Sequence, residues 1–377
     1  MSDNAAIRLV FFLQPFVLGA WFPRIPQMQE SIGLSEGALA FALVGMPLGL
    51  LVTLSFGGKL AEALGTRGLL TLGLGAYLVM MPLPAFAVST FTLFGALALA
   101  GVAMAIAQLS LNVTASEVES RSARPIMNGC HGFWSVGVLL GSAIGAVMAE
   151  LRIAPGLSLL MVSAATALPL ILAARHITDF ALPAPKPTTK TREPLSKTLI
   201  FIALFAFGIA MTEGAMADWL AVFMTKIFDA SPGVAGAGYT IFALSVALGR
   251  FQGDFLKTRF AVEKIALCLV GLAIVGLLVV VLSPWVWLSF AGVAMLGFGV
   301  SLGFPLAVSA ASVLKGKSSA GNLAVLTQMT LCGFLVGPPM IGMIAQVSNM
   351  RIGLGALIPA LLMAFIFSRA LKPRLDS

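Results

Sequence analysis

Charge is what this 377-residue chain has least of: Asp, Glu, Lys and Arg together make up 10%, against about 25% in a soluble domain. That scarcity, beside 59% hydrophobic residues and a mean hydropathy of +1.01, excludes a water-soluble globular protein. Cysteine is nearly absent too. Cys130, Cys268 and Cys332 are odd in number and sit in apolar runs, so they read as packing residues and not as a disulfide framework. The two histidines, His131 and His176, have no ligand spacing around them, and no metal site is expected. No nucleophile–base pair is legible, so no catalytic residue and no enzyme activity are expected. "ASVLKGKSS" at 311–319 ends like a phosphate loop, but Ala311 stands where the first glycine belongs. No soluble nucleotide-binding domain follows it, so neither ATP nor any other cofactor is expected.

What is abundant is apolar length. Windows of about 20 apolar residues, enough to cross a bilayer as helix, recur along the whole sequence. The short alternating segments of an outer-membrane barrel are not visible. The reading is an all-α membrane protein with twelve transmembrane helices, near 5–23, 37–58, 68–86, 91–114, 127–149, 156–175, 197–220, 235–254, 263–282, 285–311, 322–347 and 353–370. Connections are short except at 176–196, "HITDFALPAPKPTTKTREPLS", which has too little apolar surface to fold. The chain then divides into a six-helix half at 1–175, a cytoplasmic linker at 176–196 and a second six-helix half at 197–377. "MSDNAAIRL" lacks a basic n-region, so the first span is expected to be retained and not cleaved.

Basic residues orient the spans. With the N-terminus inside, all but Arg24, Arg152, Lys226 and Arg351 of the 23 Lys and Arg fall on the cytoplasmic side, as the positive-inside rule demands. Both termini are then cytoplasmic. The net charge of +8 becomes a topological device, and nucleic acid is not an expected partner. A monomer in the lipid bilayer is the expected form.

The halves also repeat. "GGKLAEALGTR" (57–67) aligns without a gap on "GRFQGDFLKTR" (249–259), pairing Gly57 with Gly249, Glu62 with Asp254 and Arg67 with Arg259. "GAW" at 19–21 matches "ADW" at 217–219, and the glycines 137, 141 and 145 match 333, 337 and 342. In "GKLAEALGTR" the chain resembles the major facilitator superfamily, with Glu62 in place of the commoner aspartate of that family's signature. "AWFPRIP" (20–26), "NGCHGFWSVG" (128–137), "EGAMADW" (213–219) and "GRFQGD" (249–254) are similar to a bacterial inner-membrane branch that includes a rhizopine-associated membrane protein. That branch is similar in outline to sugar–proton symporters. The resemblance implies two pseudo-symmetric six-helix bundles rocking about a midplane site, with helices 1, 4, 7 and 10 lining it. The glycine–proline signature of antiporters on helix 5 is missing; "GPP" lies on helix 11 instead.

Against that background the charges inside spans acquire roles. An ionised acid near the bilayer centre costs roughly 2.5–3.5 kcal/mol on insertion scales, so Glu213 and Asp218 are candidate proton-coupling residues. Counted from Lys197 at about 1.5 Å per residue, Glu213 lies in the outer part of the membrane and Asp218 near its outer boundary. Arg24, flanked by Pro23 and Pro26, lies at a similar depth and is the expected partner of one of them. A carboxylate that gains and loses a guanidinium changes its proton affinity. Gln14, Trp21, Gln108, Asn112, His131, Trp219 and Gln328 form an aromatic-rimmed polar set for a small-molecule substrate, although each amide serves equally well as helix–helix glue. Glu62, Arg67, Arg250, Asp254 and Arg259 form the expected cytoplasmic gate, with Glu62 and Asp254 facing helix N-termini. The expected function is secondary active transport of a sugar-, polyol- or amino-sugar-like solute, powered by the proton gradient. Export of amphipathic or cationic compounds is the alternative, and a non-transporting receptor a more distant one.

Overall fold

The computed structural model describes every residue except 55, 123–125, 180–194, 315–318 and 373–377; the side chains at 54, 128, 254, 319 and 320 also fall outside the description. Among the described residues, twelve helices are long and apolar enough to cross a membrane. They are α1 (Asp3–Ile32), α2 (Glu36–Thr53), α3 (Gly57–Phe86), α4 (Thr90–Ser122), α5 (Gly129–Glu150), α6 (Pro155–His176), α7 (Lys197–Phe228), α8 (Pro232–Gly253), α9 (Val262–Leu282), α10 (Val286–Ser312), α11 (Gly321–Val347) and α12 (Met350–Leu371). All twelve expected spans are present, and no strand occurs among the described residues.

Local chemistry explains where several helices begin. Ser2 Oγ accepts from the Ala5 amide at 3.3 Å, Ser35 Oγ from Ala38 at 3.2 Å, and Asn349 Oδ1 from Ile352 at 3.0 Å. Each cap satisfies an amide that the first turn leaves without a helical partner. Proline bends helices here without ending them. The helix of α1 breaks at Gln14–Pro15 and tightens to a single 3-10 turn at Phe22–Arg24, yet the span runs on to Ile32. Beside the first break, the Leu18 amide donates to the fully buried Tyr77 hydroxyl at 3.2 Å. In oil a side chain must do what water does elsewhere for a loosened backbone.

Several spans are longer than the sequence suggested, α4 among them at Thr90–Ser122, and one of these differences moves a motif. α3 begins at Gly57 but is kinked at Gly65, at φ 65° and ψ 179°, so "GGKLAEALGTR" is a short helical segment joined through that glycine to the spanning helix. Glycine adopts that backbone without Cβ strain. α1 extends past Arg24 to Ile32, and α7 runs unbroken to Phe228.

By its contacts the chain divides into two compact units, Met1–Pro185 with Asp229–Thr240, and Lys186–Phe228 with Ile241–Ser377. Residues 180–194 of the expected linker lie outside the described residues. In the first unit, α5 lies on α1 through a glycine ladder. A Cβ at Gly137, Gly141 or Gly145 would stand 2.1, 2.2 or 2.7 Å from the carbonyl oxygen of Phe12, Phe16 or Ala20. The second unit repeats the device: a Cβ at Gly333 or Gly337 would stand 2.6 Å from the Phe207 or the Met211 carbonyl oxygen. Small residues at this spacing let backbones meet, which is how membrane helices gain packing energy without a hydrophobic drive.

The start of α8 belongs to the first unit for a visible reason. Glu150, at the end of α5, accepts from the Ser231 hydroxyl at 2.8 Å and the Gly233 amide at 2.7 Å. Ser142 and Thr240 share a hydroxyl hydrogen bond of 2.8 Å, and the Phe22 and Tyr239 rings lie 4.5 Å apart.

Candidate charge and solute sites

Glu213 stands sixteen residues after the start of α7 and fifteen before its end. It is therefore a mid-span residue, deeper than a count ending near 220 had placed it. The ladder fixes which way it points. Gly333 and Gly337 of α11 press on the α7 backbone at Phe207 and Met211, and a Cβ at Gly214 would meet the Phe334 ring. With that flank of α7 taken by α11, Glu213 faces α8, where Arg250 Nη2 lies 3.6 Å from Glu213 Oε1. The two side chains are 17% and 31% exposed.

This pairing corrects two expectations. Arg250 was placed at the cytoplasmic gate, but its guanidinium reaches the mid-span carboxylate. Arg24 was the expected partner of an acid on α7, but it is fully buried in the first unit and donates to the Ile153 carbonyl. Its Nε and Nη1 have no hydrogen-bond partner among the described residues. The long stem of Arg250 lets a residue well along its helix reach a carboxylate at another level. At 3.6 Å the pair is a charge contact longer than a tight hydrogen bond.

Asp218 is partly buried and has no ion-pair partner among the described residues. Its neighbour Trp219 is fully buried and donates from Nε1 to the Pro338 carbonyl at 2.9 Å. Trp21 is 1% exposed. Neither tryptophan rims an opening; both are packed, which corrects the aromatic rim read from sequence.

The amides divide between the roles foreseen. Gln14 is 1% exposed and its Oε1 accepts from Trp134 Nε1 at 3.1 Å, while its Nε2 has no partner among the described residues. Asn112 Nδ2 donates to its own helix at the Gln108 carbonyl, 2.9 Å away, and both residues are partly buried. His131 is exposed, with its ring 5.5 Å edge-on from Phe11. Gln328 is exposed on α11.

Of the expected gate residues, Arg67 and Arg259 have partners within their own units. Arg67 donates to the Ile177 carbonyl at 2.9 Å and lies 3.9 Å from Asp179, both within its own unit. Glu62 is an exposed residue near the start of α3, not at the end of α2. Arg259 sits over the Phe255 ring at 4.4 Å. Asp254, expected to face the start of α5, has a side chain outside the described residues. At the start of α5, Glu119 Oε2 accepts the Ile126 and Met127 amides at 2.7 and 2.8 Å. Replacing Glu119 by Ala is expected to cost about 1 kcal/mol of stability, seen as a lower melting temperature in detergent; an unchanged melting temperature makes the cap dispensable.

Comparison with known proteins adds to this geometry. The family profile described as Major Facilitator Superfamily matches residues 8–223. An uncharacterized MFS-type transporter of Yersinia pestis is 29% identical over 372 residues, covering 98% of this chain and 96% of that one. The membrane protein MosC of Rhizobium meliloti is 25% identical over 355 residues, covering 93% and 84%. Among solved structures, the nucleoside transporter NupG aligns with a TM-score of 0.78 at 11% identity, over 98% of this chain and 100% of that one. The Escherichia coli fucose:proton symporter FucP aligns with a TM-score of 0.60 at 19% identity, over 98% of each. At those identities the structures speak to the fold.

Proposed function

Because the chain belongs to the major facilitator superfamily, we propose that it moves a small polar solute across the bacterial inner membrane by alternating access, driven by the proton gradient. The observation that carries the reading is the mid-span Glu213 facing Arg250 at 3.6 Å. A lone ionised acid at that depth costs roughly 2.5–3.5 kcal/mol. The guanidinium offsets that cost, and protonation removes the acid's own charge while Arg250 stays cationic, so the carboxyl has two tolerated forms. A coupled carrier needs such a choice.

Gln14, Gln108 and Asn112 support a hydrogen-bonding solute of sugar, polyol or amino-sugar type. Partly satisfied amides in a bilayer complete their hydrogen bonds with neighbours or with solute, and the Gln14 Nε2 donor lacks an acceptor among the described residues. That a fucose:proton symporter and a nucleoside transporter share the fold agrees with this class. Positive-inside bias places both termini in the cytoplasm, with the halves 1–175 and 197–377 joined by 176–196.

Sugars, polyols and amino sugars are to be screened by thermal shift, and the stabilising solute then added outside lightly buffered proteoliposomes. The medium is expected to become more alkaline as protons enter with solute. Solute entry with no pH change removes the proton from the mechanism. Asn112→Ala is expected to weaken binding of that solute about five- to tenfold, the loss of one hydrogen bond; unaltered affinity reassigns Asn112 to helix packing.

Asp218 favours a second reading. An acid with no ion-pair partner among the described residues suits a cationic compound, and export of such compounds predicts stabilisation by organic cations and none by sugars in the same screen.

A further inference from the structure

The first unit contains a cleft of about 380 Å³ that the transport reading does not use. It opens where α6 ends, between the middle of α3 after Gly65, the last turns of α6 and Thr114 of α4. Its floor is apolar, with Leu70 and Leu74. Its mouth carries Arg67, Arg175 and Asp179, two cations against one anion. Asp179 is shared with Arg67 at 3.9 Å. Arg175 is exposed and has no ion-pair partner among the described residues. Thr114, fully buried, also lines the cleft, and its hydroxyl has no hydrogen-bond partner among the described residues.

This combination is unusual for a mere gap between helices. A span's end marks the membrane–water boundary, so an occupant meets hydrocarbon on one side and headgroups on the other. An apolar floor suits acyl chains. An unsatisfied buried hydroxyl and an unmatched guanidinium ask for oxygen acceptors carrying negative charge. Soluble anions satisfy the second demand but not the first. From this juxtaposition we infer that the cleft between α3 and α6 binds the headgroup phosphate of an anionic phospholipid, with Arg175 as its principal contact and the acyl chains leaving over Leu70 and Leu74. The inference rests on the spans lying in a membrane and not on what solute is carried, so either claim can fail alone.

The full-length protein, purified in detergent, is to be titrated with phosphatidylglycerol, phosphatidylcholine and inorganic phosphate, and lipid-bound species counted by native mass spectrometry. The first phosphatidylglycerol is expected to bind about fivefold tighter than phosphatidylcholine, the worth of one basic residue near a charged headgroup. Arg175→Gln is expected to erase that preference without altering the melting temperature in detergent alone. Thr114→Val, nearly the same shape, is expected to weaken phosphatidylglycerol binding while Arg175 is intact. Equal binding of the two lipids by the natural protein overturns the inference. A preference that survives Arg175→Gln overturns it as well. Displacement of phosphatidylglycerol by inorganic phosphate makes this a soluble-anion site and overturns the lipid assignment.

Discussion

Glu213→Gln is expected to abolish pH-driven accumulation of solute in proteoliposomes while leaving solute exchange intact. A one-unit pH gradient is worth about 1.36 kcal/mol, so one proton per solute supports about tenfold accumulation. The amide has nearly the shape of the acid but binds no proton in this range, so the inside-to-outside ratio is expected to fall to about one. Exchange at equal pH needs only the rocking of the carrier, and the variant keeps the side-chain volume that α7 presents to α8. Glu213→Asp keeps the proton but shortens the reach to Arg250, already 3.6 Å, and is expected to lie between the two. Accumulation that survives Glu213→Gln removes this residue from coupling and leaves Asp218 as the acid to test.

The second large effect is structural. Gly141→Leu is expected to destabilise the first unit severely, because the first added carbon alone would stand 2.2 Å from the Phe16 carbonyl oxygen. Backbone lies on both sides of that contact, so no side chain can swing away; α1 and α5 must part and the ladder at Gly137 and Gly145 goes with them. Overpacking typically costs about 1–3 kcal/mol, and a leucine in a backbone contact belongs at or above that upper bound. Gly337→Ala, at 2.6 Å from the Met211 carbonyl, is expected to cost less. Gly95→Ala on α4, with nothing within 4 Å of its Cβ, is expected to be neutral or stabilising, since alanine is the better helix former. Thermal melting in detergent ranks the three. A Gly141→Leu protein that melts with the natural one ends the ladder as a stability element.

Some of this was legible before any coordinates. The twelve spans, the repeat and the glycine ladders rest on composition and spacing, which a bilayer enforces on each helix separately. Glu213 was legible for the same reason: an acid in an apolar run is conspicuous because it is costly. Its partner was not. Depth counted along one helix placed Arg24 near Glu213 and Arg250 near the gate, because such counting ignores how far an arginine stem reaches and how far α7 runs on past residue 220. The tryptophans misled likewise. Trp21 and Trp219 suggested a rim, yet both are packed, and Trp219 is committed to the Pro338 carbonyl.

The linear order of residues by itself determined that this chain is twelve helices in a membrane, built as a repeated half, with two acids, Glu213 and Asp218, set in an apolar span. Tertiary structure alone decided which cation meets that acid, that Glu119 caps α5 while Arg67 is held by Ile177 and Asp179, and that a basic cleft lies beside α6. The division has a physical cause. Oil acts on every span one at a time and writes its demand into local composition, whereas charge pairing depends on the rotation and level of two helices at once, which glycine contacts between neighbours set.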